Sequence, residues 1–185
     1  MTEKETVCYG VVSLLDAEHQ AKVLRLWEEL EREFGLKLRE THIPHFTYHS
    51  AERYDLERLE QMLGRRAAET APFTARSMIL GAIRAEDVPI FFLPLVRTRT
   101  LTELHEALWP ELTAIATEIF QRYSPEVWMA AVALTPDLER DISSELVRFL
   151  LDRDLAWEMR IDNLSLLRDT GTRQVLEYRL EFRGG

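Results

Sequence analysis

The chain is short of the residues on which several kinds of protein chemistry depend. Cys8 is the only cysteine in 185 residues, so no intramolecular disulfide forms, sites built from several thiolates are excluded, and a reducing compartment fits. Seven glycines are present, none at the spacing of a phosphate-cradling loop, which excludes P-loop nucleotide hydrolysis. No run approaches the roughly 20 apolar residues of a membrane span. The opening "MTEKETVCYGVV" has no apolar stretch preceded by basic residues and does not read as a secretory signal. A soluble, cytoplasmic protein is the expectation. Basic residues are also outnumbered, 23 against 32 acidic, for a net charge of −9. That disfavours a long nucleic acid partner, which relies on a basic surface, but leaves room for a local basic cleft holding one phosphate.

What is present has the composition of a globular domain, with 46% hydrophobic and 30% charged residues, so disorder is not expected. No linker or low-complexity block divides it, and the expectation is a single domain over residues 1–185 made of two small lobes. "TVCYGVVSLL" reads as a strand. Asp16 is placed to cap the helix "AEHQAKVLRLWEELEREFG", whose Val23, Leu26, Trp27, Leu30 and Phe34 fall at helical spacing, with Gly35 as its stop. "THIPHFTYH" is a second strand and "YDLERLEQMLGRRAAET" a second helix. "FTARSMILGAI" and "PIFFLPLVRT" read as strands around the turn "RAEDVP". The order then repeats: a helix over "LTELHEALWPELTAIATEIFQRY", started or kinked by Pro110, the strand "WMAAVALT", and the helix "PDLERDISSELVRFLLDRD". "AWEMRIDNLSLLRD" and "RQVLEYRLEFR" form a closing hairpin around "TGT". The predicted fold class is α+β, two lobes side by side, each an antiparallel sheet with helices outside.

Three of the five histidines, His42, His45 and His49, fall within eight residues. Alternation along a strand puts Ile43, His45, Thr47 and His49 on one face of "IPHFTYH", and Pro44, Phe46 and Tyr48 on the other. Imidazole and hydroxyl two residues apart suit a phosphate site: the hydroxyl donates to a non-bridging oxygen and the imidazole moves a proton at the reacting one. A bare H-x-T also occurs by chance, and a lone strand histidine is commonly structural.

In its context, "IPHFTYH" resembles the first signature of the 2H phosphoesterase superfamily, which includes bacterial 2'-5' RNA ligases and cyclic phosphodiesterases. The opening strand "YGVVSLLD", the helix segment "LTELHEAL" and "RYSPEVWMAAVALTP" resemble the same family, from about Val7 to Thr135 and more loosely beyond. The resemblance implies two H-x-T/S signatures, one per lobe, facing each other across a central cleft. It implies chemistry on RNA or nucleotides with 2',3'-cyclic or 2'-5' linkages, with no cofactor. His45 would then be an acid/base residue and Thr47 a phosphate donor.

The second signature is where the chain departs from the family. Ala131 stands where the second histidine is expected, and Ala133 where its hydroxyl partner is. Three histories fit: a descendant that kept the fold for binding, recruitment of a substitute such as His49 or His42, or an introduced replacement. Alanine is in any case depleted in strands. Loss of one acid/base group removes about 10²–10⁴ in rate, so weak or absent turnover is expected. The alternative is a non-catalytic module binding a nucleotide or phosphorylated ligand. A blander one is a scaffold with an empty cleft.

Other residues are candidates for substrate contact: His49 at the cleft rim, Tyr9 and Trp128 as stacking surfaces for a base, and Arg97, with Arg99, as positive charge at a strand end. His42 reads as a loop residue, His105 as structural beside Leu101, Leu104 and Leu108, and His19 as a surface residue. His45 and His49 are too far apart on a strand to clamp one ion unaided, and no carboxylate pair accompanies them, so no metal is expected.

Overall fold

The computed structural model describes residues 7–36, 41–85, 88–135 and 144–185. Its first sheet is assembled around β1 (Cys8–Leu14), which pairs antiparallel with β2 (His45–Tyr54) on one side and β9 (Asn163–Asp169) on the other. β10 (Gln174–Glu181) and β6 (Ala116–Ile119) complete the order β10-β9-β1-β2-β6. A second sheet has the order β4-β5-β7, from Gly81–Ala85, Val88–Pro94 and Ala131–Ala133. The ribbon of β3 (Phe73–Arg76) with β8 (Glu158–Ile161) joins it through a bridge between Ser77 and Leu95. All these pairings are antiparallel, and the fold is α+β as the sequence implied.

Helices cover the outer faces with their apolar stripes. α1 (Ala17–Phe34) is capped by the Asp16 carboxylate, which accepts from the His19 amide, and ends at Gly35 in the left-handed conformation (φ 63°). It buries Val23, Leu26, Trp27 and Leu30, and the Trp27 indole donates to the Leu134 carbonyl at 2.9 Å, tying α1 to the end of β7. α2 (Leu56–Glu69) buries Leu59, Met62, Leu63 and Ala67. α3 (Arg99–Thr113) buries Leu101, Leu104, His105, Leu108 and Leu112. One cluster of buried side chains runs from Val11 and Tyr48 of the first sheet to Leu93 and Val132 of the second.

The structure corrects the sequence reading in several places. The helix expected to continue to Tyr123 ends at Thr113, three residues beyond Pro110, and the next segment becomes edge strand β6 followed by a 3-10 turn at Gln121–Tyr123. β-branched Thr117 and Ile119 belong to that strand, and Ile119 pairs with Ala51. "FTARSMILGAI" breaks into β3 and β4. The helix expected from Pro136 is present as α4 (Ser144–Leu151), and its first part falls outside the described residues. His19, read as a surface residue, is 5% exposed: its Nδ1 lies 2.8 Å from the Asp16 carboxylate and its ring packs on Trp157. Among the described residues no helix is long and apolar enough to cross a membrane.

Candidate functional site

Residues of the two sheets and the loops beside them line an open cleft of about 480 Å³. His45 and Thr47 enter it from β2, and Ala131 and Ala133 from β7. The expected facing of the two strands is therefore realised, with chemistry on one side and methyl groups on the other. Trp128, just before β7, holds the strands together by donating its indole N–H to the Thr47 carbonyl at 2.8 Å.

His45 is oriented by its own backbone. Its Nδ1 lies 2.6 Å from the Ile43 carbonyl oxygen, which only accepts, so Nδ1 carries the proton and the neutral ring presents an unprotonated Nε2. Burial pushes the imidazole below its ordinary pKa, with the bond to Ile43 pulling the other way. At neutral pH this group takes a proton rather than gives one. The Thr47 hydroxyl makes no hydrogen bond among the described residues, and Thr47 lines the cavity. It is placed to donate to an anion there.

His49 lies elsewhere. Val12 pairs with Thr47 but Val11 pairs with His49, which leaves Tyr48 as an extra residue in β2. This bulge breaks the alternation on which the shared face was predicted. His49 consequently turns to the opposite side, wholly buried, with Nδ1 2.5 Å from the Tyr54 hydroxyl and its ring against Trp109. Burial, with the neighbouring His105, holds its pKa down at about 4.

The other proposed contact residues also sit outside the cavity lining. Tyr9 alternates away from Gly10 and meets Tyr54 edge-on. Trp128 is buried, stacked on His105 with ring centroids 3.7 Å apart. His105 in turn lies 3.1 Å from the Tyr48 carbonyl and 2.9 Å from that of Tyr123, so Nε2 donates and the ring braces β2. Arg97 is exposed and donates to the Pro125 carbonyl.

In their place the cavity is lined by Arg122, His42, Asp169 and Gln174. Arg122 belongs to the 3-10 turn after β6, in a stretch read as continuous helix, and no local pattern marks it. Asp169 and Gln174 face each other across the β9–β10 hairpin, with the Gln174 amide donating to the Asp169 carboxylate at 3.2 Å. Alternation from Cys8 to its partner Asp169 would have found that pair only with the register known. His42 is in the loop before β2, as read, with its ring 5.8 Å from that of Trp27. Among the described residues no group of three or more histidine, cysteine, aspartate or glutamate side chains is arranged to hold a metal ion.

No curated protein matches the chain in sequence. The crystal structure of TT0787 of Thermus thermophilus superimposes over 96% of this chain and 98% of that one, with a TM-score of 0.60 at 17% identity. A structure described as a phosphoesterase does so over 97% and 99%, with a TM-score of 0.57 at 16% identity. At these identities the likeness is one of fold. The sequence itself carries the family: residues 16–173, a span that includes both cleft strands, match the 2'-5' RNA ligase superfamily, and the chain belongs to it.

Proposed function

We propose that this protein binds phosphoesters of the kind its superfamily handles, a nucleotide or short RNA with a 2',3'-cyclic or 2'-5' linkage, and turns them over weakly or not at all. One observation carries the reading: Ala131 and Ala133 line the same cavity as His45 and Thr47. Opening a cyclic phosphate requires a proton to leave the attacking oxygen and another to reach the departing ribose oxygen. His45, neutral with Nε2 open, suits the first task. A single imidazole does not perform both within one displacement; none stands on β7, and His42, which also lines the cavity, comes from the loop before β2 on the His45 side. Thr47 donates to a non-bridging oxygen, and the Arg122 guanidinium, which lines the same cavity, supplies positive charge beside the phosphate.

The test is hydrolysis of 2',3'-cyclic nucleotides by the protein as it stands and after the joint replacement Ala131→His, Ala133→Thr. The restored protein is expected to gain at least about 10² in kcat/KM, the lower end of what one acid/base group contributes. Equal activity of the two, abolished by His45→Ala, would show a one-histidine mechanism and refute the reading. A pure binding module, the second reading favoured by the same alanines, differs in that the joint replacement also gives no turnover although the nucleotide saturates the cleft.

A further inference from the structure

The two walls of the cleft differ in chemistry. On the β4-β5-β7 side the described lining consists of Ile83, Ile90, Phe92, Met129, Ala131 and Ala133, with Val127 at the rim, and none of these side chains hydrogen-bonds. Register explains the uniformity. Gly81 and Ala133 flank Phe92, and Ile83 flanks Ile90, so all five share one sheet face. The Phe92 ring lies directly over Gly81, where a Cβ would come within 2.5 Å of it. Glycine there lets the ring lie flat and extend the apolar surface. The patch continues outward, with Ile83 49%, Met129 48% and Val127 64% exposed, although large aliphatic side chains usually avoid such exposure around a pocket unless something covers them. The opposite wall is mixed, with polar His45, Thr47, Arg122, Asp169 and Gln174 beside apolar Ile43 and Pro44.

A second ribose or base on the apolar wall would leave its hydroxyls and ring edges without partners, which weakens binding. A hydrocarbon group leaves nothing unpaired, and a cavity of about 480 Å³ accommodates a small organic molecule. We propose that the ligand of this cleft is an amphipathic phosphoester, its phosphate held by Thr47 and Arg122 beside the His45 ring and esterified to an alkyl or aryl group lying on the β4-β5-β7 wall. This rests on the phosphate reading above and replaces the second nucleoside with an apolar substituent.

The experiment is calorimetric titration of the full chain with methyl, butyl, hexyl and phenyl phosphate, hexanoate, and adenosine 2',3'-cyclic phosphate. Affinity is expected to rise about fourfold for each methylene buried, with hexyl phosphate binding more tightly than the cyclic nucleotide and hexanoate far more weakly. In Met129→Gln and Ile83→Gln, both at exposed positions where folding is not at risk, the dependence on chain length should flatten. Flat affinity across the alkyl series, with the cyclic nucleotide still bound, overturns this inference and leaves the proposed function standing. Binding of neither alkyl phosphates nor the nucleotide overturns both. Hexanoate binding as tightly as hexyl phosphate overturns the phosphate head.

Discussion

Replacing His49 by glutamine separates a buried structural histidine from a cleft histidine by its effect on acid stability. His49 is wholly buried, and its pKa of about 4 in the folded protein compares with about 6.5 for an unfolded histidine. Between those values the unfolded chain binds a proton that the native state refuses, so stability rises with pH. The contribution is fully present above about pH 6.5 and is lost as pH falls towards 4, below which both states are protonated and no more is lost. Between pH 7 and pH 4.5 the loss amounts to about 2 kcal/mol. Urea denaturation at several pH values, for the unaltered chain and for His49→Gln, measures it directly. The variant starts less stable at pH 7, having lost the Tyr54 hydroxyl and Trp109 contacts, but should fall less steeply. Carboxylates and the other histidines are common to both proteins and cancel in the difference. Parallel pH profiles would refute the reasoning and return His49 to solvent. A proton resonance assigned to the His49 imidazole and titrating near 6.5 in the unaltered protein would do the same.

Three further outcomes are expected. Trp128→Phe removes the donor to the Thr47 carbonyl and should cost about 1–3 kcal/mol in denaturation midpoint analysis, with weaker phosphate binding because β2 loses its brace; Arg97→Ala should change stability by no more than about 0.5 kcal/mol and leave phosphate binding intact, and the opposite ranking would restore Arg97 to the site. In the protein carrying Ala131→His and Ala133→Thr, turnover should rise with pH through a limb below 6.5, since burial disfavours protonated His45, and a limb at or above 7 in the kcat/KM profile would contradict that.

The sequence made the family and the first half of the site legible because both lie in contiguous residues. Asp16, the apolar stripe of α1 and Gly35 each act within one turn of helix, and His45 with Thr47 needs only the period of a strand. The H-x-T pair could be aligned with Ala131 and Ala133 because the family resemblance supplied the place of a second signature and strand period supplied the spacing. Where alternation failed, at His49, the cause is one extra residue, Tyr48, whose bulge depends on pairing with β1. No property of "FTYHS" by itself declares it. Arg122, Asp169 and Gln174 reach the cleft through sheet register and chain turns over long sequence separations, which local patterns do not encode. Tyr9 and Trp128 show the reverse difficulty: an aromatic side chain suits a base-stacking surface and a core equally well, and only burial distinguishes them.

The bond from His45 to the Ile43 carbonyl has a bearing on how such folds change. The group that fixes the proton on Nδ1 sits two residues upstream, just before β2, so the ring's readiness does not depend on anything across the cleft. The His45 ring therefore keeps its orientation whatever residues β7 carries. A run bearing its own imidazole and its own orienting carbonyl is a portable unit. Transplanted onto β7, the five residues from Ile43 to Thr47 would bring their instructions with them.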